Sequence, residues 1–261
     1  PVQVTWLGYV GTTGLSAIDY ILGDGYEIPP GSDEHYVERV LRLPDDYVCY
    51  DAPPQAPAVG LLPVYKHGGV TFGCFNNFSK INAEVIRTWK EIISRVPGSR
   101  LLLRFRGLNE RATRDHTLQL FAAAGFPAER LVLAEGLPWL EFLNAYNDVD
   151  IALDTFPYSG GLTTCEALWM GVPVITVPGE TFASRHSLSH LSNVGLTETV
   201  ADSRDDYITR AVELAQDLER LADIRQRLRP QMAASPLCDG PRFANNFATQ
   251  MRAIWQTWCR E

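Results

Sequence analysis

Leu153-Asp154-Thr155-Phe156-Pro157-Tyr158-Ser159-Gly160-Gly161-Leu162-Thr163-Thr164-Cys165-Glu166-Ala167-Leu168-Trp169-Met170-Gly171-Val172-Pro173 reads as an apolar strand end, a glycine turn, a threonine-rich helix start and a Gly-Val-Pro stop. A glycine turn that runs into a helix leaves backbone N–H groups unpaired at the positive end of the helix dipole. That arrangement suits an anion, a phosphate above all.

Upstream and downstream of this stretch, short β-branched runs alternate with helical patterns. Residues 70–75, 101–105, 131–133, 151–153 and 174–177 read as strands. Between them, Asn82 caps a helix with Ile86, Trp89, Ile92, Ile93 and Val96 on one face, stopped by Pro97-Gly98. A second helix runs through Leu118, Leu120 and Phe121 to Gly125, a third covers residues 139–146, and a fourth residues 163–170. Strict strand–helix alternation predicts an α/β fold: a Rossmann-like parallel sheet with helices on both faces. Ligands of such sheets bind at the carboxyl ends of the strands. Residues 76–80, 136–138 and 159–164 would share that rim. Three more helical stretches follow, at 184–193, 204–227 with a break, and 243–258. Residues 1–68 differ. They offer strand-like segments at 2–7, 20–22 and 40–43, a glycine-threonine loop at 8–14, and a proline-rich stretch at 52–62 that reads as a linker.

The chain has 261 residues, 46% of them hydrophobic, and a formal net charge of −8, so a sizeable core is available. With no long basic run, the balance argues against nucleic acid as a partner. No apolar run reaches the length of a membrane span. The five cysteines are scattered without CxxC spacing, which argues against a disulfide framework or a zinc site and points to a reducing compartment. Strand-like sequence begins directly after Pro1, as expected of a segment from inside a longer protein.

Several residues carry two readings. Thr163 and Glu166 stand three apart, the spacing of a capping box. The same threonines, with Thr164, could instead contact phosphate while Glu166 accepts hydrogen bonds from ribose hydroxyls. Lys80 is either a solvated loop lysine or a cation that stabilises a departing diphosphate. Asn77 is a turn residue or a phosphate contact. His186 and His190, four apart, read as surface or core histidines rather than metal ligands. Arg185 reads as an ion-pair partner or a phosphate contact.

Trp6-Leu7-Gly8-Tyr9, Gly11-Thr12-Thr13-Gly14, Phe75-Asn76-Asn77, Lys80-Ile81, Arg95-Val96-Pro97, Leu153-Asp154-Thr155, residues 167–173, Pro178-Gly179-Glu180-Thr181, Ala183-Ser184-Arg185 and Ser235-Pro236-Leu237 occur in order. Together they resemble the C-terminal catalytic half of the O-linked N-acetylglucosamine transferase family, including its bacterial spindly-like members. The resemblance implies a GT-B glycosyltransferase, in which two Rossmann-like domains face each other across a cleft. Residues 1–60 would close the first, acceptor-side domain, 69–235 would form the nucleotide-sugar-binding domain, and 241–258 would be a terminal helix returning to the first. It implies an inverting, metal-independent, cytoplasmic enzyme without a cofactor. A UDP-sugar is the donor and a protein serine or threonine the acceptor. Its partners include an N-terminal catalytic half and tetratricopeptide repeats, both outside this chain.

The resemblance also assigns roles. Lys80 matches the lysine that stabilises the leaving diphosphate. Asn77 lies near the phosphates, which Gly161, Leu162 and Thr163 hold. Glu166 matches the acidic ribose ligand, Leu103 and Leu137 frame the uracil, and Gly8 and Val10 approach the sugar. Val10, Leu162 and the segment holding Trp139, Phe142 and Ala145 depart from the common family pattern. A GDP-fucose donor, a nucleotide-sugar-binding module without catalysis, and an epimerase of the same architecture are the rival expectations.

Overall fold

The computed structural model describes residues 1–260. Three short strands come first: β1 (Val4–Thr5), β2 (Tyr20–Asp24) and β3 (Arg39–Leu43). They pair in parallel, in that order. A one-turn helix, α1 (Val64–His67), precedes the alternating region. There β4 (Thr71–Cys74), α2 (Ala83–Arg95), β5 (Arg100–Arg104) and α3 (Arg111–Ala123) follow one another. Next come β6 (Leu131–Ala134), α4 (Trp139–Asn144), β7 (Ile151–Leu153), α5 (Leu162–Trp169) and β8 (Val174–Ile175). The chain ends in α6 (His186–Val194), α7 (Arg204–Gln216), α8 (Leu218–Ala233) and α9 (Gly240–Trp258).

The large sheet has the order β6-β5-β4-β7-β8, all parallel. Its first strand is central, the next two extend to one side and the last two to the other. This is the doubly wound order, and its direction reverses between β4 and β7. Both faces are covered, so β4 is buried at every position. The neighbours sit close here: a Cβ at Gly73 would lie 2.6 Å from Val149 Cγ2.

The helices form where the sequence signals place them. The Asn82 side chain accepts from the N–H groups of Glu84 and Val85 at 2.9 and 3.0 Å and so caps α2. Its amide also donates to the Phe156 carbonyl at 2.6 Å, tying α2 to the turn after β7. Trp89, fully buried on α2, donates to Tyr207 Oη of α7 at 3.2 Å, and that hydroxyl donates to the Asp154 carbonyl at 2.9 Å. The helical stretch 204–227 breaks at Asp217, whose side chain accepts from Arg220 N–H and caps α8. Residues 52–62 are held rather than loose. Arg225 on α8 donates to the Gly60 carbonyl at 2.8 Å and Arg229 to the Pro57 carbonyl at 2.7 Å.

The small sheet joins the large body through a polar seam. His186 Nδ1 lies 2.7 Å from Glu27 Oε1 and 3.0 Å from Tyr47 Oη. His190 Nδ1 lies 2.7 Å from Asp46 Oδ2. Asp24 accepts from Ser189 Oγ at 2.6 Å and from Tyr47 N–H at 2.8 Å. All four imidazole and carboxylate partners are buried, so both histidines belong to the core. Burial, with Asp24 nearby, raises the Glu27 carboxyl well above its ordinary range, and burial lowers His186 to about 3. Both shifts favour the uncharged forms of that pair. Burial opposes charge on His190 too, yet the Asp46 carboxylate holds it well above its ordinary value. Among the described residues Arg185 forms no ion pair with a carboxylate; it donates to the carbonyls of Tyr26 and Gly179. Helix α9 packs back on the small sheet, with Phe247 5.2 Å from the Trp6 ring and Arg242 forked on Asp45 at 2.7 Å.

Replacing Asn82 by Ala removes the cap and the bond to Phe156. It is expected to lower unfolding free energy by about 1–2 kcal/mol. Asn82→Asp keeps the cap and is expected to recover part of that loss in the same chemical denaturation series.

Candidate functional site

The carboxyl ends of β4 and β7 open side by side, and the residues just beyond them meet. Asn76 Nδ2 donates to Asp154 Oδ1 at 3.3 Å, and Thr163 Oγ1 donates to Asn76 Oδ1 at 2.6 Å. The glycine turn packs against this pair. Gly160 N–H donates to Asp154 Oδ1 at 2.7 Å, and a Cβ at Gly160 would fall 2.6 Å from Thr164 Oγ1, so only glycine fits. Helix α5 then begins at Gly161 with no side chain accepting from its first N–H groups. Thr163 is spent on Asn76, and no capping box with Glu166 forms. Thr164 turns inward, donating to the Gly160 carbonyl at 3.1 Å and meeting Ser187 Oγ at 2.8 Å.

In front of this helix start lies a cavity of about 390 Å³. Phe75, Phe105, Phe142, Trp139 and Leu137 give it an apolar and aromatic wall, and Asn77, Arg106, Leu162, Thr163 and Glu166 add polar groups and helix-start backbone. Glu166 is 3% exposed, and burial raises its carboxyl from 4.5 to about 7. Trp139 Nε1 donates to Glu166 Oε1 at 3.2 Å and works against that rise. Thr163 and Glu166 stand one helical turn apart, about 5–6 Å between Cβ atoms.

Lys80 closes the other flank, on the short 3-10 turn Phe78–Lys80. Its ammonium donates to the Ser159 carbonyl at 2.7 Å and lies 3.8 Å from the centre of the Tyr158 ring. Burial lowers its pKa, and the Asp154 and Cys74 side chains act in the opposite direction. The Asn77 side chain accepts from Ser79 N–H at 3.0 Å, so its oxygen serves the turn even as the residue lines the cavity.

Among the residues singled out in the sequence, Asn77, Leu137, Leu162, Thr163 and Glu166 share one cavity, whereas Thr164 turns to the Gly160 carbonyl and Lys80 to the Ser159 carbonyl, both at the glycine turn, with Gly161 as the helix cap. Leu103 does not share it. It sits inside β5 with no exposed surface, paired between Cys74 and Leu133, and its alternation in the strand turns it to the core. Phe105 and Arg106, just past the strand end, form the wall that Leu103 was expected to supply. Gly8 and Val10 belong to a separate loop. Val10 lines a second cavity, of about 430 Å³, with Tyr9, Thr12, Tyr36, Glu180 and Phe182. That loop is pinned from behind, where the Glu38 carboxylate accepts from Thr12 Oγ1 at 2.7 Å and Thr13 N–H at 2.6 Å. Sequence reading missed Asp154 as a hub and Trp139 as the partner of Glu166. The available signal for Asp154 was an acid directly after a buried strand, on the ligand edge of the sheet.

The profile of glycosyl transferase family 41 matches residues 63–247. The chain belongs to that family. A probable UDP-N-acetylglucosamine–peptide N-acetylglucosaminyltransferase SPINDLY of Petunia hybrida is 41% identical over 263 residues, which is 99% of this chain and 28% of the relative. The chain thus spans little more than a quarter of the curated relatives it matches. A solved mutant of the Thermobaculum terrenum O-GlcNAc transferase superposes with a TM-score of 0.93 at 39% identity, over all of this chain and 49% of that one. Sucrose-phosphate synthase of Thermosynechococcus elongatus superposes with a TM-score of 0.64 at 14% identity, over 93% of this chain and 60% of that one, a likeness of fold. The family 41 chain therefore has the GT-B-like α/β architecture with parallel sheets expected from its sequence. Among the described residues, no helix is long and apolar enough to cross a membrane.

The raised Glu166 carboxyl has a measurable sign. Its folded pKa lies above the unfolded value, so its contribution to stability is full below about 4.5 and is lost as pH rises through about 7. Glu166→Gln is expected to melt higher than the parent protein at pH 8 and to flatten the stability profile between those two values. A lower melting temperature for the variant at pH 8 would instead indicate a structural role like that of a cap.

Proposed function

We propose that this chain is the donor-binding half of a protein O-glycosyltransferase. It transfers N-acetylglucosamine from UDP-N-acetylglucosamine to serine or threonine hydroxyls with inversion and without a metal. The observation that carries the reading is the arrangement around α5: free helix-start N–H groups, a carboxylate one turn later, an aromatic wall beyond it and a lysine across the turn. Phosphates lie at the helix start, the ribose diol on Glu166, and the base against Phe75, Phe105, Phe142 and Leu137. Gly8 and Val10 approach the sugar from the first-domain side, with residues 1–60 closing that domain, 69–235 binding the donor and 241–258 crossing back. The names of the relatives support the same donor and a protein acceptor.

In the transfer step the acceptor hydroxyl attacks the anomeric carbon as the bond to the diphosphate breaks. Negative charge grows on the departing oxygen, where Lys80 and the helix-start N–H groups stabilise it. The acceptor, its binding groups and the proton acceptor belong to the N-terminal half that the relatives' greater length implies. Five free cysteines agree with a reducing, cytoplasmic setting.

A GDP-sugar donor is the second reading, and the observation that keeps it is Glu166. A carboxylate accepts equally well from a ribose diol or from the adjacent N–H donors of guanine. Calorimetric titration of the intact protein with UDP and with GDP decides between the two. UDP binding with GDP excluded supports the uridine donor, the reverse moves the donor to a guanosine sugar, and binding of neither removes the donor-site reading. Lys80→Ala is expected to lower kcat about 100-fold or more with a smaller change in donor KM, because it removes charge stabilisation at the leaving group. Near-normal turnover of a peptide acceptor would remove Lys80 from that role.

A further inference from the structure

Asp154 lies at the carboxyl end of β7, 2% exposed, and takes no direct place in the cavity wall. Its Oδ1 accepts from three obligatory donors: Thr155 N–H at 2.9 Å, Gly160 N–H at 2.7 Å and Asn76 Nδ2 at 3.3 Å. Its Oδ2 accepts from Thr176 Oγ1 at 2.7 Å. A buried carboxylate with four donors is fully engaged, and each donor belongs to a different part of the site. Gly160 is the turn before α5. Asn76 ends β4 and receives Thr163 at 2.6 Å. Thr176 continues β8. One acid therefore ties three neighbouring strand ends to the turn that presents the helix N–H groups.

We infer that Asp154 is a positioning residue for the donor site: its carboxylate sets the Gly160 turn, with the neighbouring Ser159 carbonyl that receives Lys80, and the Asn76–Thr163 pair. The inference rests on the donor-site reading above. A buried anion beneath a phosphate site looks unfavourable on charge alone. It makes sense here because burial acts against charge on Lys80 and Asp154 is foremost among the groups that oppose it. The other such group, Cys74, is a buried thiol pushed up to about 12, hence neutral at ordinary pH. His186, on the far side, is lowered to about 3 and carries no charge either. Among the groups near Lys80, Asp154 acts most strongly in favour of its ammonium form.

The geometry separates the two roles. In Asp154→Asn the remaining oxygen can keep the three donors on the Oδ1 side, and the new amide can donate to Thr176 Oγ1, which is free to accept. This variant removes charge and preserves shape. Asp154→Ala removes both. Lys80 is one of only three lysines in the chain, with Lys66 and Lys90, so its methyl-labelled amine can be followed by NMR and assigned by its loss in Lys80→Arg.

On the ligand-free intact protein, Asp154→Asn is expected to lower the Lys80 titration midpoint by about one pH unit or more. Asp154→Ala is expected to speed amide exchange at Gly160 at least about tenfold relative to an Ile92→Val variant, which perturbs the core alone. An unchanged Lys80 midpoint in the Asn variant overturns the inference, as does Gly160 exchange in the Ala variant equal to that of the Ile92 control. If the Ala variant does not fold, the Asn titration decides by itself. Neither readout needs nucleotide, so a failure of UDP and GDP to bind sinks the donor-site reading independently of these results.

Discussion

The pairing of β4 with β7 is the constraint on which the rest depends. Phe72 faces Ile151 and Gly73 faces Ala152 in register, at the point where the sheet's winding reverses. Crossover helices leave this point in opposite directions, so the loops after the two strands diverge and leave a crevice between them. The helix start, Glu166 and Lys80 are appended to those two loops, while the loops after β5 and β6 supply much of the aromatic wall. Lys80 follows β4, and the glycine turn and α5 follow β7. The β4–β7 pairing brings the two loops near enough for Asn76 to reach Asp154.

Two aspartates flank β7 and show how position on the sheet sorts like residues into unlike roles. Asp150, at the amino end, accepts from Val64 N–H at 3.1 Å and Thr71 N–H at 2.8 Å, and so seals the bottom of the sheet. Asp154, at the carboxyl end, accepts from the Gly160 turn, Asn76 and Thr176. Both are buried, and burial raises the carboxyl of each. At the amino end such an acid serves stability, whereas at the carboxyl end it holds the turn that precedes α5. Glu166 carries the same logic further, because its burial is met by a single donor, the Trp139 indole N–H, among the described residues.

Much of this was legible in the chain. Strand–helix alternation from residue 70 onward, the Asn82 cap, the left-handed glycines at 125 and 195, and the break before α8 all have local causes that a sequence displays. The readings that failed depend on what lies across space. Thr163 and Glu166 have capping-box spacing, but Asn76, 87 positions away, claims the threonine first. Leu103 looks like any apolar residue near a strand end, and only the pairing register shows that it is still inside the sheet while Phe105 is outside. Trp139 counted as a departure from the family pattern, yet its indole N–H supplies the partner that Glu166 would otherwise lack. The histidines at 186 and 190 share a helical face as their spacing says, while the carboxylates that meet them come from the first 50 residues.

That polar seam between the small sheet and α6 governs how displacement travels. An apolar interface can slide by exchanging one contact for another of similar energy. This one holds a charged pair, an acid–imidazole pair whose uncharged forms are favoured and an aspartate with two donors, all away from water. Shearing it would strand buried charge, at a cost of about 3–5 kcal/mol for the charged pair alone. The seam therefore resists sliding and couples the first 50 residues to α6, whose Ser187 donates to the Gly160 carbonyl at 3.0 Å and so reaches the glycine turn.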